Sequence, residues 1–139
     1  MAARRIQLEV DGVSAIAELH DDISPRTVEA FWQSLPIDTE LTMSKWSGAA
    51  SCFPLPDGPL AHIDGLESPV CSIYPGTLVV APQTCEALIG HGQAEYRRHV
   101  GTDYATRVAR IVEYRSEFLR VLGRMRDEGA KRLTIRRTE

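Results

Sequence analysis

The chain has 139 residues, of which 43% are hydrophobic and 25% charged, and its formal net charge is −3. This length predicts a single domain over residues 1–139 with one hydrophobic core. No apolar run approaches the roughly 18 residues of a membrane-spanning helix, and the N-terminal stretch lacks the apolar segment of a secretory signal, so we expect a cytoplasmic protein without a membrane partner.

Charge is distributed unevenly along the sequence. Residues 1–96 contain 4 basic and 13 acidic side chains, whereas residues 97–139 contain 12 basic and 6 acidic ones. Such asymmetry can indicate nucleic-acid binding, but no aromatic-rich RNA-binding signature is interleaved with the basic residues. We therefore do not expect nucleic-acid binding. We expect the acidic and basic segments to neutralise each other in the folded chain or across a subunit interface.

Cysteine and histidine patterns give no sign of a metal site. Cys52, Cys71 and Cys85 are odd in number and form no C-x-x-C pair, and the four histidines show neither H-x-H nor H-E-x-x-H spacing. We predict three free thiols that are buried as small apolar residues, with a catalytic thiolate as the alternative. We expect no metal and no cofactor.

The first predicted element is a β-hairpin. Ile6, Leu8 and Val10 alternate with polar residues, and the alternation resumes after Asp11-Gly12 and continues to Leu19. Asp-Gly tolerates the positive φ angles of a type I′ turn, whose twist matches the strands that it joins. The segment therefore predicts two antiparallel strands.

The sequence S-P-R-T-V-E-A-F-W-Q-S-L-P, residues 24–36, predicts a short amphipathic helix. Ser24 is the expected N-cap, Pro25 the first helical residue, and Pro36 the end of the helix. Apolar residues recur at helical spacing: Val28, Phe31, Trp32 and Leu35. This spacing predicts that Phe31 and Trp32 are core residues.

Short strand-like segments follow from residue 41 to residue 90, separated by turn residues. They are L-T-M-S-K-W, S-C-F-P-L, V-C-S-I-Y, T-L-V-V-A and E-A-L-I-G. Residues 104–112 are rich enough in β-branched side chains to predict a further strand. Short strands at this spacing indicate a sandwich or a barrel.

The C-terminal part predicts a second helix and a last strand. The helix begins near Glu113 and ends at Gly129. One face carries its apolar residues: Tyr114, Phe118, Val121, Leu122 and Met125. The sequence K-R-L-T-I-R-R then predicts a strand whose Leu133 and Ile135 point inward.

These elements together predict a mainly β fold. Closure removes the exposed edges of a sheet, and two helices are too few to cover about eight strands. We therefore expect a closed barrel of about eight strands, with the two helices capping its open ends. The complementary charges of the two segments also predict a homo-oligomer, most simply a dimer.

Several short motifs follow one another in a recognisable order. They are the opening hairpin, the helix at 24–36, K-W-S-G at 45–48, E-S at 67–68, Y-P-G at 74–76, V-G-T-D-Y-A at 100–105, and the terminal helix and strand. In this order and spacing the chain resembles a cyclophilin-like family of bacterial proteins known as domain of unknown function 3830. The resemblance covers nearly the whole chain and implies a cyclophilin-like β-barrel with a pocket, but it implies no activity.

Trp46 and Tyr74 are the aromatic residues that we predict at a cavity. Each has a polar tip that requires a partner, and each precedes a turn-forming pair, Ser-Gly or Pro-Gly. The alternative is that both belong to the barrel core. Lys45 is either a solvated surface residue or an anion-facing charge at the cavity mouth.

We predict a small-molecule ligand bound at this Trp46/Tyr74 wall, and no residue is identifiable as catalytic. The expected ligand-binding residues are Lys45, Trp46, Ser47, Glu67, Tyr74 and Tyr104. Ser47 lacks the G-x-S-x-G context of a nucleophile. The alternative is a small-molecule enzyme of hydrolase or lyase type that uses the same cavity, which a buried acid or base with a strongly shifted pKa would favour.

We do not expect prolyl isomerase activity. That reaction requires a donor, typically an Arg, beside an apolar proline pocket. Arg107 and Arg110 are the candidates on a predicted strand, and neither has a neighbouring Phe. Phe53 alone cannot form the pocket, because Phe31 and Phe118 are predicted on helices.

Overall fold

The computed structural model describes residues 3–138. The strands are β1 (Arg5–Val10), β2 (Val13–Leu19), β3 (Ile37–Met43), β4 (Gly48–Pro54), β5 (Pro69–Val70), β6 (Thr77–Ala81), β7 (Glu86–Ala94), β8 (Arg97–Arg98), β9 (Gly101–Thr102), β10 (Ala105–Glu113) and β11 (Lys131–Arg137). The helices are α1 (Pro25–Gln33), α2 (Arg115–Gly123) and α3 (Met125–Glu128), and two short 3-10 turns span Pro59–His62 and Pro82–Thr84.

Eight of these strands form a closed antiparallel barrel. The order around the barrel is β2, β1, β11, β3, β4, β7, β6 and β10, and β10 pairs with β2 to complete the circle. Each strand therefore has a hydrogen-bonded neighbour on both sides, which removes the free edges of an open sheet. The predicted closed barrel is confirmed.

The opening hairpin has the predicted turn. Val10 pairs with Val13, and the two residues between them have positive φ angles, 53° at Asp11 and 76° at Gly12. These are the angles of a type I′ turn. The final strand is also as predicted, since Leu133 and Ile135 are fully buried in β11.

The interior of the barrel is filled by the alternate residues of its strands and by the buried faces of α1 and α2. These residues form one continuous apolar cluster, which includes Ile6, Leu8, Leu41, Phe53, Val108 and Ile135. Helix α1 packs near β10 and the 3-10 turn Pro59–His62, whereas α2 packs against β1, β2 and β7. The two helices therefore cover opposite ends of the barrel.

Three details of the predicted helices are wrong. Helix α1 has no side-chain cap from Ser24, whose hydroxyl is buried without a partner among the described residues. Tyr114 precedes α2 with a φ of 60° and is exposed, because the chain must turn sharply out of β10 before the helix begins. Trp32 is only partly buried: it packs against the core cluster, and the guanidinium carbons of Arg4 and Arg137 lie 5.0 Å and 4.6 Å from its ring centroid.

The segment V-C-S-I-Y is also not the strand that its sequence predicts. Only Pro69–Val70 forms a strand, and the following residues cross the outside of the barrel with a single bridge between Ser72 and Glu95. Ile73 and Tyr96 are buried there in a second, smaller apolar cluster against the outward side chains of β6 and β7. The apolar alternation in this segment therefore serves an outer layer and not the barrel core.

Ion pairs join the acidic and basic parts of the chain. Lys131 Nζ lies 2.6 Å from Asp11 Oδ2, and Arg132 Nε lies 2.6 Å from Asp38 Oδ1. Part of the charge asymmetry is therefore neutralised within the chain, as expected.

The cysteines are free, as predicted, but none is fully buried: Cys52 and Cys71 are partly buried and Cys85 is exposed. None of the helices described between residues 3 and 138 has the length and apolar character needed to span a membrane.

Candidate functional site

The turn K-W-S-G is fixed by the residue after Trp46. Ser47 is 3% exposed; its Oγ accepts a hydrogen bond of 3.1 Å from Arg97 N, and its carbonyl accepts one of 3.0 Å from Glu95 N. Gly48 has a φ of 84°, and a Cβ there would lie 2.8 Å from the Gln93 carbonyl oxygen. Ser47 thus attaches the turn to the segment after β7, which leaves the Trp46 side chain 56% exposed.

The turn Y-P-G is fixed in a similar way on the neighbouring segment. Gly76 has a φ of 87°, and its N donates a hydrogen bond of 2.8 Å to the Gly90 carbonyl. A Cβ on Gly90 would lie 2.7 Å from the carbonyl oxygens of both Ile73 and Tyr74, so only glycine permits this crossing of β7. Tyr74 is consequently held at the surface with 72% of its area exposed.

Trp46 and Tyr74 both line one surface cleft of about 550 Å³, which we call the Trp46–Tyr74 cleft. Other lining residues include Ser47, Ser72, Gln93, Glu95 and Arg97. Both aromatic residues are too exposed to be core residues, so the alternative that placed them in the barrel interior is wrong. The volume lies within the usual range for small-molecule sites.

The charged groups of this cleft are paired with each other. Arg97 Nε lies 3.2 Å from Glu95 Oε1, and the same oxygen accepts a hydrogen bond of 2.8 Å from Thr102 Oγ1. The cleft therefore combines exposed aromatic surface with neutralised polar groups. Such a lining favours binding through apolar contact.

Lys45 is exposed and lines a second, adjacent cleft of about 360 Å³, the Lys45–Glu86 cleft. Trp46 forms part of both clefts, and Cys52 and Glu86 lie in the wall of the second. Partial burial raises the pKa of Glu86, although a hydrogen bond of 3.1 Å from Thr84 Oγ1 opposes the shift. Burial also raises the pKa of the Cys52 thiol, which argues against a thiolate nucleophile there.

Tyr104 lies on the other side of Tyr74, in a third cleft of about 350 Å³ that we call the Arg107 cleft. Tyr104 is 52% exposed, and the cleft also contains Ser72, Thr77 and Arg107. Tyr74 is shared between this cleft and the Trp46–Tyr74 cleft. Five of the six predicted site residues thus lie around one continuous outer surface.

Glu67, the sixth predicted residue, lies elsewhere. Its carboxylate accepts hydrogen bonds from Thr27 N (2.7 Å), Thr27 Oγ1 (2.8 Å) and Arg26 N (3.2 Å). It therefore caps the N-terminus of α1 in place of Ser24. Burial opposes ionisation of Glu67, but these hydrogen bonds outweigh it and lower its pKa.

Another groove, of about 820 Å³, is lined in part by Tyr74 and Arg107, but most of its charged groups pair with other charges. Arg4 Nη2 lies 2.5 Å from Asp21 Oδ1, and Glu18 pairs with Arg5 at 3.0 Å. We call it the His20 groove after its central histidine, whose pKa is lowered by burial and by Arg107. Its mutual ion pairs make it a less suitable ligand site than the aromatic clefts.

Two residues of these clefts were not predicted as site residues. Glu86 sits in an apolar strand segment, E-A-L-I-G, and the sequence has no signal for its place in a cleft wall. The sequence suggests Arg107 only as an isomerase donor, and no local pattern shows that it forms no ion pair with residues 3–138. Among residues 3–138, no group of three or more His, Cys, Asp or Glu side chains is arranged to hold a metal ion.

The sequence profile of a family described as "Protein of unknown function (DUF3830)" matches residues 6–136. The chain belongs to this family. The predicted membership in domain of unknown function 3830 is therefore confirmed. No curated protein matches this DUF3830 chain.

Two of the solved structures that resemble the DUF3830 chain match almost its whole length. One, titled "Structure of McbB in complex with tryptophan", has a TM-score of 0.77 and 18% identity, and the match covers 96% of this chain but only 44% of McbB. The other, the hypothetical protein AF2241 from Archaeoglobus fulgidus, has a TM-score of 0.67 and 14% identity over 99% of this chain and 96% of that protein. Because the DUF3830 chain spans less than half of McbB, and identity is low in both cases, these similarities establish a shared fold alone.

Proposed function

We propose that this protein binds a small molecule in the Trp46–Tyr74 cleft. The observation that carries the proposal is the pair of exposed aromatic side chains that two tight turns hold in the lining of one cleft of about 550 Å³. Exposed Trp and Tyr side chains offer large apolar area with little conformational freedom to lose on binding. A planar or largely apolar ligand fits such walls best.

The comparison with McbB supports this proposal without specifying the ligand. McbB was solved in complex with tryptophan, a small molecule with a planar aromatic group. Tryptophan is therefore a reasonable first probe for this chain. We further propose that the fold is cyclophilin-like, as the sequence resemblance implied, and that no cofactor takes part.

The other predicted residues receive distinct roles in this proposal. Lys45 and Tyr104 contribute polar groups on either side of the aromatic pair, and Ser47 holds the turn that presents Trp46. Glu67 acts at a distance, because its hydrogen bonds to Thr27 hold the loop that leads into the Tyr74 segment. Its proposed role is to position the site and not to touch the ligand.

Crystals soaked with tryptophan and with metabolite mixtures test this proposal. We expect electron density between Trp46 and Tyr74, and we expect that density to disappear in Trp46→Ala crystals. His62→Ala is a suitable control, because His62 is exposed and does not line the cleft. Density only at other surfaces, or density unaffected by Trp46→Ala, would contradict the proposal.

A second candidate function is a small-molecule enzyme of hydrolase or lyase type. The observation that favours it is Glu86, whose raised pKa would let it act as a general acid or base beside Trp46. Tyr96 Oη lies 2.9 Å from Thr84 Oγ1, which in turn bonds to Glu86, so a short hydrogen-bonded chain supports the carboxyl group. Turnover of a bound compound that Glu86→Gln abolishes, with binding retained, would identify the enzyme.

We also propose that the protein is not a prolyl isomerase. All three Phe side chains are at most 1% exposed, so none lines a proline pocket on the surface. We expect exchange of a proline peptide at the uncatalysed rate of tens to hundreds of seconds. Faster exchange that Arg107→Ala abolishes would contradict this.

A homodimer without nucleic acid is our proposal for the assembly. It rests on the charge asymmetry that the internal ion pairs only partly neutralise. Light scattering at micromolar concentration should give about twice the mass of one chain. A monomeric mass at every salt concentration would contradict it.

A further inference from the structure

Arg107 is a basic residue of the barrel surface that forms no ion pair within residues 3–138. It lies on β10 and lines both the His20 groove and the Arg107 cleft. Its Nε is buried and has no hydrogen-bond partner among residues 3–138. A buried donor of this kind is unfavourable unless something else satisfies it.

Two of the three carboxylates that line the His20 groove with Arg107 are already engaged by other basic residues. Asp21 pairs with Arg4, and Glu18 pairs with Arg5 at 3.0 Å and with Arg110 at 3.9 Å. Asp22, which also lines the groove, forms no ion pair with Arg107 within the described part of the chain. The guanidinium of Arg107 is thus the cation at this surface that remains available to an external anion.

The walls beside Arg107 are apolar and aromatic. Tyr74 and Tyr104 are 72% and 52% exposed, and Pro69 and Val70 complete the Arg107 cleft next to them. Thr77 is 9% exposed and also lines both clefts that Arg107 lines. A cation beside two exposed rings is an arrangement suited to a ligand with an anionic head and an apolar body.

We propose that Arg107 binds the carboxylate of a small aromatic acid, whose ring packs between Tyr74 and Tyr104 in the Arg107 cleft. This inference rests on the proposed function, because Tyr74 is the wall that the Arg107 cleft shares with the Trp46–Tyr74 cleft. It assigns a ligand class to the Arg107 cleft, which adjoins the Trp46–Tyr74 cleft at Tyr74. A carboxylate matches the planar fork of one guanidinium, whereas a phosphate dianion would require more than this one unpaired cation.

A matched set of probes separates the charge from the ring. Benzoate, phenylacetate and phenylpropionate carry the carboxylate, and their primary amides have nearly the same shape without the charge. Isothermal titration of the wild-type protein should show at least one acid binding about tenfold more tightly than its amide, since a hydrogen bond to a charged group contributes enough free energy for that factor.

Two arginine variants on the same strand localise the effect. Arg107→Met retains the aliphatic stem and should abolish the preference for the acid, while binding of the amide changes less than about twofold. Arg110→Met is the control, because Arg110 is exposed and does not line the Arg107 cleft. It should preserve the preference for the acid, and thermal denaturation should show that both variants remain folded.

The outcomes distinguish this inference from the proposed function. Equal affinity for acid and amide, no saturable binding of any acid, or an acid preference that persists in Arg107→Met would each overturn the role of Arg107. None of these outcomes depends on Trp46. If the role of Arg107 were overturned, loss of the soaked density in Trp46→Ala crystals would still support the Trp46–Tyr74 cleft. Density that persisted in Trp46→Ala crystals would overturn the proposed function, whatever the result for Arg107.

Discussion

Glu67 and Tyr74 lie seven residues apart on one segment outside the barrel, yet they differ in exposure and in whether the polar groups around them are hydrogen-bonded. The Glu67 side chain is 13% exposed, and its carboxylate accepts three hydrogen bonds from the first residues of α1. Tyr74 is 72% exposed beside an arginine whose buried Nε is unpartnered. The Glu67 carboxylate is therefore used within the fold, whereas the Tyr74 ring and the neighbouring arginine remain available to a ligand.

This difference explains why the residue type alone does not show whether a polar side chain near a cleft binds a ligand. Buried polar groups in folded proteins are nearly always satisfied by the chain itself, so a satisfied group such as Glu67 is structural by default. Exposed aromatic area next to an unsatisfied donor has no such explanation. The Tyr74 side of the segment is therefore the functional candidate.

The largest effect should come from the glycine that lets the Tyr74 segment cross β7. Gly90→Ala would place a methyl group 2.7 Å from the carbonyl oxygens of Ile73 and Tyr74, so the backbone must move. Overpacking of this kind should lower the free energy of unfolding by about 2 to 3 kcal/mol. Chemical denaturation measures the loss, with Gly123→Ala as control, since a Cβ on Gly123 meets nothing within 4 Å. A loss of unfolding free energy below about 0.5 kcal/mol would show that the Tyr74 segment is not tightly packed where it crosses β7.

Removal of the Glu67 carboxylate should have a smaller effect that depends on pH. Glu67→Gln loses charge-assisted hydrogen bonds to Thr27 and Arg26 and should cost about 1 to 2 kcal/mol at neutral pH. The folded pKa of Glu67 lies below its ordinary value of 4.5, so the contribution is complete above that value and is lost as the pH falls through the folded pKa. The difference between wild type and variant should therefore shrink in acid. A constant difference would contradict the assignment.

Tyr96→Phe should destabilise the outer layer by about 1 kcal/mol. The Tyr96 ring is fully buried, and its hydroxyl lies 2.9 Å from Thr84 Oγ1. The variant keeps the ring and loses one hydrogen bond, and the expected loss of about 1 kcal/mol is the typical contribution of one hydrogen bond. Thermal denaturation of Tyr96→Phe and Thr84→Val, alone and combined, measures the coupling. Fully additive effects would show that the two groups do not interact.

Trp46→Ala should have the smallest effect on stability and the largest on binding. A fully buried Trp typically costs about 3 to 5 kcal/mol when truncated. Because Trp46 is 56% exposed, we expect a loss below about 1 kcal/mol together with loss of the soaked ligand. A large decrease in the melting temperature would instead indicate that Trp46 has a structural role.

The sequence was sufficient for the barrel and insufficient for most of the site. Alternation in the hairpin and in β11, together with Asp11-Gly12, predicted strands that are confirmed, and the predicted closure of the barrel is confirmed as well. The same signal failed for residues 71–74, because an outer layer over β6 and β7 also buries apolar residues such as Ile73. Local periodicity indicates which residues are buried. It does not indicate whether they are buried inside the barrel or under a layer on its outer side.

The site depended on partners that are distant in sequence. Trp46 and Tyr74 could be chosen because each precedes a turn-forming pair, and Gly48 and Gly76 have the positive φ angles that such turns require. Glu67 could not be interpreted, since its partner Thr27 lies forty residues earlier. The availability of Arg107 likewise follows from how Asp21 and Glu18 pair elsewhere, which no local pattern encodes.

Chemical-shift mapping of the ¹⁵N-labelled protein during titration with tryptophan tests the central claim most directly, because it reports on every amide at once. We predict that the largest changes occur at residues 46–48, 72–75 and 92–95, which line the Trp46–Tyr74 cleft. The changes should saturate, and Trp46→Ala should suppress them. Changes confined to the α1 end of the barrel around Glu67, or no changes at millimolar tryptophan, would contradict the account.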